Sequence, residues 1–162
     1  ADGNTILAEK RPLKNGVDYG FVGDVKKVNY QVIKDLIFIG LVPVFAAMTH
    51  NGKGNLLNTN ADTIAQETAR ALSAIYDVTL VYSFEKSGVL LNAGDDTTVI
   101  ASINPSSYQQ LKLEQKIFAG MIPKLDNAFA ALSSGVKKVV IGKAEALKQL
   151  IAGNAGTTII NE

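Results

Sequence analysis

Two places in the sequence combine residue types that could bind a polar or anionic ligand. The first, residues 49–62, reads T-H-N-G-K-G-N-L-L-N-T-N-A-D between two apolar segments. Its amides and glycines suit hydrogen bonds to a small polar ligand, with Asn58 and Asn60 two apart and Asp62 opening a predicted helix. A structural explanation fits as well, because Asn60 is a common helix cap and Asp62 complements the helix dipole. The local pattern leaves both open.

The second place is G-M-I-P-K at residues 120–124. Pro123 is well suited to the first position of a helix, which puts Lys124 in the first turn. A cation is unfavourable there, since the positive end of the helix dipole prefers an anion. A helix start that carries a lysine and follows a glycine is a good receptor for phosphate oxygens. The alternative is a solvated lysine that costs little.

The elements that would position these residues alternate between extended and helical. Strands are predicted at 5–10, 21–29, 42–48, 78–82, 89–91, 138–141 and 157–160. Helices are predicted at 30–39, from Asn60 onward, and at 105–113, 123–132 and 144–151. This alternation predicts an α/β fold with a mostly parallel sheet, in a single domain over residues 1–162. Ligands of such sheets lie beyond the carboxyl ends of strands, so the loops after Met48, after Tyr82 and before Pro123 are the candidate regions.

Composition excludes several classes of function. The net charge of +1 gives no field for nucleic acid or an anionic membrane surface, and without cysteine there is no thiolate chemistry or cysteine-ligated metal. The one histidine, His50, has no carboxylate neighbour in sequence and is interpreted as a loop hydrogen-bonding residue. Asp95 and Asp96 are interpreted as a turn pair. The phosphate-loop, dinucleotide-fold and nucleophile-elbow motifs are absent.

The longest apolar stretch, residues 36–48, is too short to cross a bilayer and is interrupted by Gly40 and Pro43. The first ten residues lack the pattern of a signal peptide. We therefore expect a cytoplasmic protein, with no membrane and no nucleic acid among its partners.

Taken together, the motifs resemble one family. The string L-V-P-V-F-A-A-M-T-H-N-G-K-G-N-L-L-N-T-N-A-D-T-I-A, followed by G-M-I-P-K-L-D-N-A, is similar to the N-acetylglutamate kinases of the amino acid kinase family. The similarity runs from K-R-P and Y-G-F-V-G-D-V to the closing G-T-T-I. It implies a three-layer αβα sandwich with a mostly parallel central sheet.

The resemblance also implies an activity, the ATP-dependent phosphorylation of the side-chain carboxylate of an N-acylated glutamate in arginine biosynthesis. Asn58 and Asn60 would line the acylglutamate pocket, Asp62 would organise active-site lysines, and Lys124 would stabilise the transferred phosphoryl group. Mg²⁺ would be bound through the ATP phosphates rather than by a dedicated metal site. The residues implied to hold the nucleotide are Ser83, Phe84, Glu85, Lys86, Gly88, Val89, Leu90, Gly120 and Met121.

Two departures from the family pattern qualify this interpretation. The G-G-K-like first strand, the second glycine-rich turn and the arginine-bearing segment are not found, and the loop S-F-E-K-S-G differs from the shorter acidic loop of many relatives. We therefore expect the ATP-binding C-terminal part of such a kinase, with the N-terminal half missing, little activity alone, and possible homo-oligomers. The alternatives are a kinase for another acceptor, such as N-succinylglutamate, and a non-catalytic nucleotide-binding module.

Overall fold

The chain packs as two compact units. The structure, a computed structural model, describes residues 4–117 and 119–161. Unit 1 is Ala1–Leu72 and unit 2 is Ser73–Glu162. Whether the two units act as the single domain expected from the sequence stays a prediction.

Unit 1 is a four-stranded sheet with two helices. Its elements in chain order are β1 (Ile6–Lys10), β2 (Gly23–Val28), α1 (Tyr30–Phe38), β3 (Met48–His50), β4 (Leu56–Asn58) and α2 (Ala61–Leu72). The strand order is β2-β1-β3-β4, in which only β1 and β3 run parallel. Strands β3 and β4 form a hairpin, and the short loop 51–55 between them requires the antiparallel direction.

The core of unit 1 contains a cluster of four buried apolar side chains. Ile6, Val28, Ile33 and Ile64 form its buried cluster, which joins β1 and β2 to both helices. Phe45 packs against this cluster. Phe45 therefore attaches the segment between α1 and β3 to the core, although this segment is not a strand.

The predicted strand at 42–48 is the clearest difference from the sequence analysis. Only Met48 belongs to a strand, and Val42 and Val44 are 85% and 90% exposed. The apolar run was expected to be buried on both faces, as in a parallel sheet. In the structure only alternate residues, Pro43 and Phe45, are partly covered, and the intervening side chains face outward.

Unit 2 is a second four-stranded sheet with three helices. Its elements are β5 (Thr79–Phe84), β6 (Ser102–Ile103), α3 (Pro105–Leu113), α4 (Ile122–Ser133), β7 (Lys138–Lys143), α5 (Leu147–Ala152) and β8 (Thr157–Ile159). The order is β5-β7-β8-β6, with β5 and β7 parallel along their whole length and β7 and β8 antiparallel. Helices α4 and α5 pack against β7.

Two glycines allow α5 and the turn before β8 to lie close to the backbone of β7. A Cβ on Gly142 would lie 2.4 Å from Leu150 Cδ2, and Gly156 adopts a φ of +77° with no space for a side chain beside Ile141. Leu150 itself is fully buried. These glycines let α5 and the turn before β8 pack directly onto the sheet.

The α/β class is confirmed, whereas the strand directions are more mixed than expected. Each sheet contains both parallel and antiparallel pairs. The predicted strand at 89–91 is reduced to one bridge between Leu90 and Val99, and the β3–β4 hairpin was not foreseen. None of the helices in the described part of the chain has the length and apolar character that a membrane crossing needs; the cytoplasmic location stays a prediction.

Candidate functional site

Unit 2 contains a cavity at the carboxyl end of β5. Its volume is about 180 Å³, and its walls are mainly apolar. Strand β5 runs parallel to its neighbour β7, so the cavity lies where parallel sheets commonly bind ligands. The lining residues are Phe84, Glu85, Lys86, Gly88, Val89, Leu90, Ala93, Gly120, Met121 and Lys124.

The wall formed by residues 88–90 is anchored to β8. The Val89 backbone N–H donates to Thr157 Oγ1 at 2.8 Å, and Thr157 is fully buried. A Cβ on Gly88 would lie 2.8 Å from both Thr157 Oγ1 and Val99 Cγ1, so only glycine fits at this position without displacing the wall. The wall is therefore a packed part of unit 2 although it follows a loop.

The turn beyond this wall is organised by Asp95. Its carboxylate accepts hydrogen bonds from the Thr97 hydroxyl at 2.6 Å and the Thr97 N–H at 2.9 Å, and these bonds lower the pKa of Asp95. The Ser87 hydroxyl donates to Asp96 at 3.1 Å, which joins the turn to the loop after β5. The interpretation of Asp95 and Asp96 as turn residues is confirmed.

Lys124 lies in the first turn of α4, as predicted. The helix begins at Ile122 with Pro123 next, and Met121 at the capping position makes no side-chain hydrogen bond to it. The half-buried Lys124 extends toward β5, and its Nζ lies 5.8 Å from the centroid of the buried Tyr82 ring. The face of an aromatic ring attracts a cation, which offsets part of the unfavourable helix-dipole interaction.

The cavity brings together the residues that the resemblance implied for a nucleotide, with one exception. Ser83 does not line it, because consecutive strand residues point to opposite faces and Phe84 occupies the cavity side. Ala93 lines the cavity but was missed, since the turn around it had been interpreted as a solvated loop. That Phe84, Glu85, Lys86, Gly88, Val89, Leu90, Gly120 and Met121 bind a nucleotide stays a prediction.

Asn58, Asn60 and Asp62 lie in unit 1, at the end of β4 and the start of α2. Asn58 and Asn60 are exposed on either side of the buried Thr59. The Asn60 carboxamide oxygen accepts from the Thr63 N–H at 3.1 Å, so the helix-capping interpretation of Asn60 is confirmed. Asp62 is half-buried in the first turn of α2. Their ligand roles stay predictions.

A buried threonine pair positions the two asparagines, and the sequence analysis missed it. The Thr49 and Thr59 hydroxyls lie 2.9 Å apart, and the Thr59 hydroxyl donates to the Gly23 carbonyl at 3.1 Å. Both threonines are almost fully buried. The network ties β2, β3 and the end of β4 together, which fixes the backbone that presents Asn58 and Asn60 to solvent.

The glycine-rich loop between β3 and β4 is held by its own side chains. His50 Nδ1 accepts from the Gly52 N–H at 3.0 Å, which confirms the interpretation of His50 as a loop hydrogen-bonding residue. Asn51 Oδ1 accepts from the backbone N–H groups of Lys53 at 2.8 Å and Asn55 at 3.1 Å. Within the described ranges, no three histidine or carboxylate side chains come together as metal ligands would.

Comparison with known proteins identifies the family. The model of the amino acid kinase family matches residues 2–143. The chain is 55% identical over 159 residues to acetylglutamate kinase of Bacteroides thetaiotaomicron, covering 98% of this chain and 60% of that protein. It is 52% identical over 162 residues to acetylglutamate kinase of Cytophaga hutchinsonii, covering 99% and 61% respectively.

A solved structure agrees in fold. N-acetylglutamate synthase from Neisseria gonorrhoeae, complexed with coenzyme A and L-arginine, matches with a TM-score of 0.81 at 21% identity, over 99% of this chain and 37% of that one. The chain spans about 60% of the length of the curated relatives above. The amino acid kinase-like fold expected from the sequence is therefore confirmed, and the chain belongs to the amino acid kinase family.

Proposed function

We propose that the whole protein is a kinase that transfers a phosphoryl group from ATP to the side-chain carboxylate of N-acetyl-L-glutamate, in arginine biosynthesis. The cavity at the end of β5, with Lys124 at the start of α4 on its wall, is the observation that carries this proposal. The names of the two relatives support the choice of acceptor. In this proposal unit 2 binds the nucleotide.

The cavity suits one part of a nucleotide. At about 180 Å³ it is smaller than a typical pocket for a complete ligand, roughly 300–1,000 Å³. Phe84, Val89, Leu90 and Met121 give it apolar walls that fit a purine base. The phosphates would then extend toward the two lysines of the lining, Lys86 and Lys124.

In this proposal Lys124 stabilises the negative charge on the transferred phosphoryl group. Phosphoryl transfer spreads negative charge over the equatorial oxygens, so positioned cations and N–H donors do most of the catalytic work. The first turn of α4 offers both, since the positive end of its helix dipole favours an anion and Lys124 adds an ammonium. Mg²⁺, when bound through the nucleotide, would neutralise charge on the phosphates.

Asn58 and Asn60 are assigned to the acylglutamate, and Asp62 is assigned to organising the active-site lysines. Carboxamides can accept from the amide N–H of an acylated amino acid and donate to its carbonyl and carboxylate oxygens. The exposure of Asn58 and Asn60 beside a rigid threonine pair supports this role. Capping of α2 by the Asn60 side-chain oxygen leaves the carboxamide NH₂ group as its donor to a ligand.

A second candidate is a nucleotide-binding module without catalysis. Every residue that lines the cavity belongs to unit 2, so nucleotide binding there needs no side chain from unit 1. A kinase for another acyl-glutamate, such as N-succinylglutamate, is the alternative within the same reaction class.

The first experiment is a calorimetric titration of the chain with Mg²⁺ and AMP-PNP, a non-hydrolysable ATP analogue. We expect saturable binding that Lys124→Ala weakens and that the matched control Lys148→Ala, an exposed lysine of unit 2, leaves unchanged. Failure of a folded sample to bind would refute the nucleotide assignment.

The second experiment separates the candidates in the full-length protein. We expect ADP formation that depends on N-acetylglutamate, with Asn58→Ala raising the KM for that acceptor and the exposed Asn154→Ala as control. Lys124→Ala should lower kcat by about 100- to 1,000-fold, the usual loss for one transition-state donor. Faster turnover of N-succinylglutamate would favour the other acceptor, and binding without turnover would favour the module.

A further inference from the structure

The start of α4 follows directly on a 3₁₀ turn, Ala119–Met121, and has no capping side chain, so contacts from other elements support it. Met121 at its capping position makes no side-chain hydrogen bond, and the helix begins with Ile122 and Pro123 rather than with a capping side chain. The first turn of a helix frays unless its groups are held by caps or packing. Lys124 lies in this turn, so whatever holds the turn also sets the position of the ammonium group.

Tyr108 of α3 supplies that support. Its ring is buried at 4% exposure, and its hydroxyl donates to Asp126 Oδ1 at 2.6 Å. The same hydroxyl lies 3.3 Å from the carbonyl oxygen of Ile122, the first residue of α4. One atom of α3 thus contacts α4 on both sides of Lys124 in the sequence.

Two further contacts strengthen this joint. The rings of Tyr108 and Phe129 stack with centroids 5.2 Å apart. Lys112 Nζ lies 4.8 Å from the centroid of the Tyr108 ring and 4.0 Å from Asp126 Oδ1. Tyr108 and Lys112 are one turn apart on α3, so both lie on the face of that helix that contacts α4.

The joint and Lys124 lie on different sides of α4. At 3.6 residues per turn, Lys124 is about 200° round the helix from Asp126, whereas Ile122 and Phe129 lie within roughly 60° of Asp126. Contact with α3 on this side and packing of α4 against β7 together set the rotation of α4, and with it the direction in which Lys124 extends over Tyr82.

We propose that Tyr108 is a positioning residue, which holds Lys124 at the cavity through its hydrogen bond to Asp126. This inference rests on the proposed nucleotide site in unit 2 and adds a residue that touches neither nucleotide nor acceptor. Burial and the bond to Asp126 raise the pKa of Tyr108, so its hydroxyl remains a donor at neutral pH.

The test compares AMP-PNP with ADP, which lacks the third phosphate, in calorimetric titrations of the chain. Lys124→Ala should weaken AMP-PNP by about tenfold, as for loss of one charged hydrogen bond, and leave ADP nearly unchanged. Tyr108→Phe keeps the ring and removes only the hydroxyl. We expect it to weaken AMP-PNP selectively by about threefold or more, as for loss of a neutral hydrogen bond.

Control variants separate positioning from general damage. Asp126→Ala should match Tyr108→Phe, the double variant should lose no more than either single one, and Asp126→Asn, which keeps an acceptor, should stay close to the parent. Tyr76→Phe, at an exposed tyrosine of unit 2, is the matched control. Circular dichroism checks that every variant is folded.

A second measurement needs no nucleotide. The ring current of Tyr82 acts on the methylene protons beside Lys124 Nζ, so their NMR shift reports the position of the side chain. Tyr108→Phe should move this signal and Tyr76→Phe should not.

The outcomes distinguish this inference from the proposed function. If Lys124→Ala spares AMP-PNP, the role of Lys124 fails and the role of Tyr108 fails with it. If Lys124→Ala acts as expected but Tyr108→Phe leaves the ratio and the NMR signal unchanged, or weakens AMP-PNP and ADP equally, Tyr108 is only structural and this inference alone is overturned.

Discussion

Two apolar runs that are similar in sequence differ in burial, because the run in unit 2 is buried and the run in unit 1 is exposed. In unit 2, Val139, Val140 and Ile141 are fully buried in β7, which lies between β5 and β8 under α4 and α5. In unit 1, Val42 and Val44 are 85% and 90% exposed. Both runs have the continuous apolar character typical of a strand covered on both faces.

The difference lies in the neighbours rather than in the residues. Strand β7 has a hydrogen-bonded partner on each side. In the described part of the chain, no backbone–backbone hydrogen bond involves residues 42–46. An apolar run thus indicates that a segment can be buried. It is buried only where other elements of the fold pack against it.

The largest expected contrast comes from deleting leucine side chains in each region. Leu150→Ala should destabilise the chain by about 2–5 kcal/mol, because it empties a fully buried site against Gly142 and Gly156. Leu41→Ala, at a side chain that is 54% exposed, should change the free energy of unfolding by less than about 0.5 kcal/mol. Urea unfolding measures both. Equal losses would mean that the exposed segment is covered in solution, and the comparison would fail.

A pair of glycine variants sharpens the comparison by separating stability from binding. Gly88→Ala places a Cβ 2.8 Å from Thr157 and Val99, and Gly23→Ala places one 2.7 Å from Leu57 Cβ. Each should cost about 1–3 kcal/mol, as overpacked sites do. Only Gly88→Ala should weaken AMP-PNP, since Gly88 lines the cavity of unit 2.

The control for these variants is Gly94→Ala, where a Cβ has nothing nearer than 3.8 Å. It should leave urea unfolding and calorimetric titration unchanged. Weaker nucleotide binding by Gly23→Ala at an unchanged fold would contradict the assignment of the nucleotide to unit 2.

Much of the fold could be predicted because local signals agree with it. The predicted helix at 105–113 is confirmed at both ends, and in the structure Asn104 and Ser107 form a reciprocal cap at its start. Gly135 ends the region of α4 with a φ of +98°, as a glycine after a helix predicts. The β3–β4 hairpin was missed because its strands are short and the loop between them had been interpreted as part of a single long connection.

Candidate site residues could be identified from the sequence where chemistry conflicts with local structure. Lys124 stood out because a cation is unfavourable at a helix start, whereas the residues of the cavity wall were named only through a family resemblance. Tyr108 carried no signal in the sequence. Its role depends on a contact with Asp126, eighteen residues away on another helix, which periodicity does not report.

A smaller effect on stability, with a clear effect on association, should follow from making the exposed run polar. Exposed apolar surface promotes association, so Val42→Ser with Val44→Ser should lower the associated fraction in sedimentation velocity. The free energy of unfolding should change by less than about 0.5 kcal/mol, as for other exposed sites. Leu113→Ser, at an 85% exposed leucine of unit 2, is the control and should leave association unchanged.

The smallest expected effect is on the pH dependence of stability, and it should be similar in the two units. The pKa of Asp18 in unit 1 is lowered by the Gly20 N–H and by Lys10, and the pKa of Asp95 in unit 2 is lowered by Thr97. A carboxyl whose pKa is lower in the folded state stabilises it above the unfolded pKa of about 3.9 and loses that contribution as pH falls through the folded pKa. Asp18→Asn and Asp95→Asn should therefore each flatten the decline of urea stability below about pH 4. If only one of the two variants shows a flatter decline, the units also differ in surface electrostatics. If both do, the units differ in whether other elements pack on their apolar runs and not in these carboxylates.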